Sequence, residues 1–209
     1  RHRYTYASRT IPNISPMLVR LDSAIDDFLR VLFKGYEFSE NDRDLFSLPV
    51  RLGGLGMIIP SKMSDDQHRN SIFITAQLTQ HIKNQDVTGE IDALVQKEHI
   101  QNAKNEKTEK FKALQDDVRA KLPQGRLKTF DAIIEVGASS WLLAIPLKDH
   151  GFYLDKQSFW DSLRLRYELP LDHLPAHCVC GRSFDVDHAL SCPKGGFISI
   201  RHNEIRDVT

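Results

Sequence analysis

Residues 13–35 read NISPMLVRLDSAIDDFLRVLFKG, and this stretch decides the fold class. Leu18, Leu21, Ile25, Phe28, Leu29 and Leu32 recur at three- and four-residue steps. That spacing lines one face of an α-helix, whereas a half-buried strand would alternate. Ser15 is placed to cap the helix, and Pro16 suits its first turn. Gly35 offers the left-handed residue on which many helices end.

Working outward, the same periodicity recurs. Residues 40–47 predict a short helix with acids in its first turn, stopped by Pro49. Ser64, Asp65, Asp66 and Gln67 read as a capping box opening a helix through Ile72, Phe73 and Ala76 toward Ile82. Residues 84–122 are charged. Ile91, Leu94, Val95, Phe111, Leu114, Val118 and Leu122 leave only a thin apolar stripe, which predicts one or two long, partly solvated helices with a break around 102–105. After Pro123-Gln124-Gly125, residues 129–140 predict another helix. Asp155 then caps one that carries Phe159, Trp160, Leu163 and Tyr167, with Arg164 and Arg166 interleaved. The expected fold is mainly α. The glycines of PVRLGGLGM (residues 49–57) suggest a phosphate cradle at first sight. No Lys-Ser/Thr pair follows and no dinucleotide spacing fits, so they read as a compact turn between closely packed backbones.

All three cysteines of the chain lie in one short run, Cys178-x-Cys180-x7-His188-x3-Cys192. Zinc takes four thiolate or imidazole ligands in a tetrahedron, and a closed Cys3His set leaves no position for a substrate. The spacing therefore predicts one structural Zn2+ held by Cys178, Cys180, His188 and Cys192. Gly181 sits where the chain must turn back, in a position that favours positive φ. Asp185 can cap a short helix over 186–192, on which His188 and Cys192 share a face, with Pro193, Gly195 and Gly196 stopping it. His173 and His177 are alternative ligands.

The chain has 209 residues, enough for one or two domains, and carries 28 basic and 28 acidic side chains. Balanced charge means that any polyanion must meet a local patch. No apolar run reaches membrane-spanning length. Three clustered cysteines favour a reducing compartment over a disulfide framework. Arg1 at the start, and a helix opening over 201–209 with no stop signal, read as a piece of a longer protein. Asp26-Asp27, Asp65-Asp66 and Asp116-Asp117 all fall in helical patterns, where paired carboxylates are solvated surface rather than metal ligands for phosphoryl transfer. No nucleophile elbow or zinc-protease motif is present. No catalytic residue and no small-molecule substrate is therefore expected of this chain.

Several stretches resemble non-LTR retrotransposon reverse transcriptases. SRTIPN (8–13), RDLFSLPVRLGGLG (43–56) and Pro60-Ser61-Lys62 are similar to the region after the polymerase core. LRLRY (163–167), Leu174-Pro175, the Cys/Cys/His/Cys run, PKGGF (193–197) and RHNEIRD (201–207) are similar to the later part of the same proteins. The charged middle carries little of the likeness. The resemblance implies a helical thumb and linker followed by a zinc knuckle, ending at the threshold of a restriction-like endonuclease. The parent protein would be an RNA-directed DNA polymerase with endonuclease, acting in the nucleus. Its polymerase aspartates would lie upstream and its main nuclease acids downstream. Glu204 or Asp207 could belong to the first nuclease helix.

On this reading the segments are a thumb-like region (1–84), a charged linker (85–125), a helical linker domain (126–171), the knuckle (172–196) and the start of a downstream domain (197–209). The expected function is non-catalytic: weak, salt-sensitive binding and positioning of RNA or DNA. Arg164, Arg166, Arg182, Lys194, Arg201 and His202 are the expected phosphate contacts, and Trp160 and Tyr167 offer stacking faces, although their helical spacing favours core packing. The alternative is a zinc-stapled helical scaffold that binds another protein.

Overall fold

A computed structural model describes residues 2–86, 89–172, 174–195 and 197–208. The described residues are mainly helical, with isolated β-bridges and no sheet. The helices are α1 (His2–Thr10), α2 (Ser15–Leu32), α3 (Glu40–Ser47), α4 (Pro60–Lys83), α5 (Ala93–Lys121), α6 (Gln124–Ile133), α7 (Lys156–Arg166), α8 (Val186–Ser191) and α9 (Phe197–Val208). The chain divides into two compact units, residues 1–168 and 169–209. The expected segments before residue 169 thus share one unit, and the last residues of the helical linker fall in the other.

In the first unit, α1 and α2 pack on α4, and α5 packs on α3 and α4. The core joins Leu29 and Phe33 to Leu45, Phe46 and Leu48, with Val118, Phe130, Leu163 and Tyr167. At its centre Phe33 stacks on Phe46 with centroids 4.7 Å apart, and Tyr167 meets Phe46 edge-on at 5.1 Å. Removing this apolar area from water is the main drive for the unit, at about 25 cal/mol per Å².

Helix α2 lies where its stripe predicts, but Phe28 of that stripe is 52% exposed and the helix ends differ. Ser15 donates its hydroxyl to the Ser61 carbonyl instead of capping. At the other end Lys34 takes the left-handed position (φ 52°), and Gly35 N–H closes back on the Arg30 carbonyl at 2.7 Å. That is a Schellman ending with lysine at its left-handed site. Helix α3 matches its expected bounds, with Ser39 and Asp42 forming the reciprocal capping box. The capping box expected at Ser64 does not form. Helix α4 already begins at Pro60, and Ser64 is buried inside it, bonded to the Ser61 carbonyl. Proline's fixed φ starts the helix a turn earlier than the polar signal suggests.

Helix α5 runs unbroken through 102–105, capped by Asp92, and forms an antiparallel hairpin with α4. Gln77 meets Asp92, Phe73 meets His99, and Arg69 and Asp66 meet Glu106 and Lys110. Those cross-helix partners hold a segment whose own apolar stripe is thin. Helix α6 starts at Gln124 and stops at Ile133, earlier at both ends than the predicted 129–140. Gly137 turns the chain (φ 87°), and the Ser139 hydroxyl bonds back to the Ile133 carbonyl.

The glycine-rich turn packs backbone on backbone, as expected. Leu55 and Met57 N–H both donate to the Phe46 carbonyl, and Gly56 N–H donates to Leu48. A Cβ on Gly54 would lie 2.0 Å from the Leu48 carbonyl oxygen. Arg43, also buried, pairs with Asp26 and donates to the Met57 and Ile58 carbonyls just beyond the turn. Three of the other five Asp-Asp members are paired along helix faces, Asp27 with Arg30, Asp66 with Arg69 and Lys110, Asp117 with Lys121, and Asp65 and Asp116 are exposed.

Candidate metal centre

The second unit builds its site on a tight turn and a short helix. Residues 176–184 fold back on themselves. Phe184 N–H donates to the Ala176 carbonyl and Cys178 N–H to that of Arg182, with an antiparallel bridge between His177 and Ser183. Gly181 N–H closes the turn onto the Cys178 carbonyl at 2.8 Å, with φ at 86°. No atom lies within 4 Å of a Cβ placed there, so the positive φ alone favours glycine. The turn brings the two thiols of Cys-x-Cys to one side.

The other two donors come from α8. Asp185 caps it by accepting from His188 N–H at 2.6 Å. Cys192 ends it, its N–H bonded to the His188 carbonyl at 2.8 Å. One helical turn thus sets imidazole and thiol on the same side. The Phe184 ring packs edge-on against His188 with centroids 6.3 Å apart and limits its swing.

The four side chains converge. Cys178 and Cys192 sulfurs are 3.7 Å apart, and Cys180 sulfur is 3.2 Å from His188 Nε2. One donor atom from each of the four lies within 4.8 Å of every other, a possible metal site. A backbone bond from Cys180 favours the Cys178 thiolate. Desolvation, with the side-chain hydrogen bonds of Cys192 and Cys180 and the charge of Cys180, outweighs it, and the Cys178 thiol is pushed up from its ordinary range. A cation among the sulfurs reverses that balance, because a coordinating thiol loses its proton. His177 is exposed and outside the group. His173 lies outside the described residues.

The expected phosphate contacts divide sharply. Arg182, Lys194 and His202 are exposed in the second unit, the first two each two positions past a cysteine of the cluster. The side chains of Arg201, Glu204 and Asp207 lie outside the described residues. Arg164 and Arg166 require correction. Each is only 6% exposed in the first unit, with Arg164 donating to the Phe33 carbonyl and Arg166 to the Ser139 hydroxyl. The last turn of α7 docks on the core and takes both guanidiniums with it. Tyr167 is buried too, so it offers no stacking face. The Trp160 ring is half-buried, with Lys34 and Lys156 ammoniums each 4.4 Å from its centre.

One residue of the site carried no signal in the sequence. Val179, between the two thiols of the turn, is 84% exposed. Apolar residues are expected inside, and only the turn geometry shows that this one points away from the cluster. Comparison with protein-family models, with curated proteins and with solved structures finds no match.

Proposed function

We propose that the second unit is a zinc knuckle that presents basic side chains to the backbone of RNA or DNA, within a non-catalytic segment of a retrotransposon-type reverse transcriptase protein. The zinc assignment rests on donor type and spacing. With Zn–S near 2.3 Å, sulfurs on a tetrahedron lie roughly 3.8 Å apart. The Cys178–Cys192 separation of 3.7 Å matches that edge. Cys178, Cys180, His188 and Cys192 would hold the ion, and its role there is to fix the turn against α8.

The observation that carries the nucleic-acid reading is the exposure of Arg182 and Lys194 on the two arms of the cluster. A metal that fixes both arms also fixes the two cations. Arginine's planar donors suit phosphate oxygens, and lysine adds a point charge. The test is a binding titration with single-stranded RNA and DNA at several salt concentrations. Affinity falls as salt rises, and Arg182→Ala/Lys194→Ala lowers the slope of log affinity against log salt by about 1.4 units, roughly 0.7 for each phosphate contact on a single strand. Equal binding by both proteins, or binding indifferent to salt, refutes the reading.

The exposed Val179 favours a second reading, in which the knuckle docks on an apolar patch of another protein. Such contact would persist at high salt and fail in Val179→Asp.

A further inference from the structure

We further infer that Cys178 and Cys192 are a modification site: a hydroperoxide joins them in a disulfide and thereby opens the knuckle. The inference builds on the zinc reading above for metal release, while the choice of thiol pair stands on geometry alone.

Three observations select the pair. Cys178 and Cys180 are half-exposed, whereas Cys192 is buried. A small oxidant in solvent therefore reaches a sulfur of the turn first. The Cys178 sulfur lies 3.7 Å from that of Cys192; the Cys180 thiol also hydrogen-bonds Cys178, but it has His188 Nε2 as a second partner at 3.2 Å. The two partners are 14 positions apart, so the bond closes an ordinary loop. Cys178 with Cys180 would close a strained ring across one residue, inside a turn already held by its own backbone bonds.

The chemistry balances without a further reactant. The Cys178 thiolate attacks one oxygen of the hydroperoxide. The O–O bond breaks, the sulfur becomes a sulfenic acid, and hydroxide or alkoxide leaves. The Cys192 thiolate then attacks the sulfenic sulfur. The S–S bond forms, the S–O bond breaks, and a second hydroxide leaves. Two thiolates are oxidised by two electrons in total, and the peroxide is reduced by the same two. Water supplies the protons that the leaving groups take up. The ion loses two of its four ligands, and Cys180 with His188 alone cannot keep it. The disulfide still pins the turn to the end of α8, so a dithiol reductant and zinc restore the site.

The experiment uses the full chain. Its zinc content is measured first, so that failure of the zinc reading shows before any oxidant is added. Zinc-loaded and metal-free protein are then treated with stoichiometric hydrogen peroxide. Released zinc is followed with a chromogenic chelator, and the sulfur bonds by non-reducing peptide mapping. The expected results are loss of bound zinc in step with a Cys178–Cys192 linked peptide, and recovery of both thiols with a dithiol. Cys180→Ser should still form the link in metal-free protein. Cys178→Ser should form none to Cys192 through Cys180, and should accumulate a trappable sulfenic acid instead. A dominant link involving Cys180, direct passage to sulfinic acid, or thiols that survive peroxide in the metal-free chain would overturn the inference.

Discussion

The Tyr167 hydroxyl donates to the Gly53 carbonyl oxygen at 3.1 Å, tying the end of α7 to the glycine turn 114 positions earlier. The phenol is 3% exposed, and burial pushes its pKa up to about 12, against an ordinary 10.0, while the charges of Arg166 and Arg126 pull it the other way. Between those values the folded chain keeps a proton that the unfolded chain gives up. The stabilisation is therefore complete below pH ~10 and is lost as pH rises toward ~12. At about 1.4 kcal/mol per unit, roughly 2–3 kcal/mol is at stake. Urea midpoints measured across that window should fall for the wild type and fall less for Tyr167→Phe. At neutral pH the variant should cost about 1 kcal/mol through the lost hydrogen bond. Identical alkaline slopes would show that another group governs the loss.

Gly54→Ala should be among the most damaging small substitutions in the chain. Its new methyl meets main-chain oxygens of Leu48 and Leu45 at 2.0 and 2.6 Å, and neither can swing aside as a side chain does. A loss on the order of 3 kcal/mol or more is expected. Gly35→Ala is the control: it has open space but positive φ, and should cost about 1 kcal/mol. Denaturant unfolding ranks the two, and equal losses would contradict the close packing of the turn.

The buried Asp42 carboxylate pairs with Arg126 at 2.7 Å and completes the capping box of α3. Asp42→Asn leaves Arg126 uncompensated in a mostly buried position, and should destabilise by about 3 kcal/mol. Adding Arg126→Gln to it should recover part of the loss. A double-mutant cycle with no coupling would mean that the cap alone explains the effect.

Cys192→Ser should broaden amide resonances within residues 169–209 and leave those of α2 in place, because the four donors belong to the compact unit 169–209 and α2 to the unit 1–168. Resonance changes along 15–32 would show that the metal site supports the whole chain.

Most of the helical content was legible because apolar periodicity reports directly on burial. Helix α3 and the cap of α7 fell where their polar signals lie. Asp185 does the same for α8, and with Gly181 it makes the donor cluster readable from the sequence. The polar signals mislead where a stronger one, local or tertiary, overrides them. Ser64 carries the chemistry of a cap, but Pro60 starts the helix first. The break expected near 102–105 is bridged by partners on α4 that a linear reading does not see. Arg164 and Arg166 looked like surface cations because charge usually is surface. The contrary signal was present, since Arg166 follows Leu163 by three positions and Arg164 precedes Tyr167 by three. An inward Leu163 and Tyr167 therefore carry both arginines inward.

The α4–α5 hairpin has one further consequence. Helix α5 spans 29 residues, about 43 Å at 1.5 Å per residue. Val118 near one end is fully buried, whereas Leu94 near the other is exposed. Between them the ion pairs Arg69–Glu106 and Asp66–Lys110, which salt weakens, bridge the two helices. Amide hydrogens along α5 should therefore exchange with deuterium in a graded series, slowest near Val118 and fastest toward Ala93. Added salt should speed the middle of the helix more than its anchored end, so that one continuous helix serves at one extremity as core and at the other as a spring.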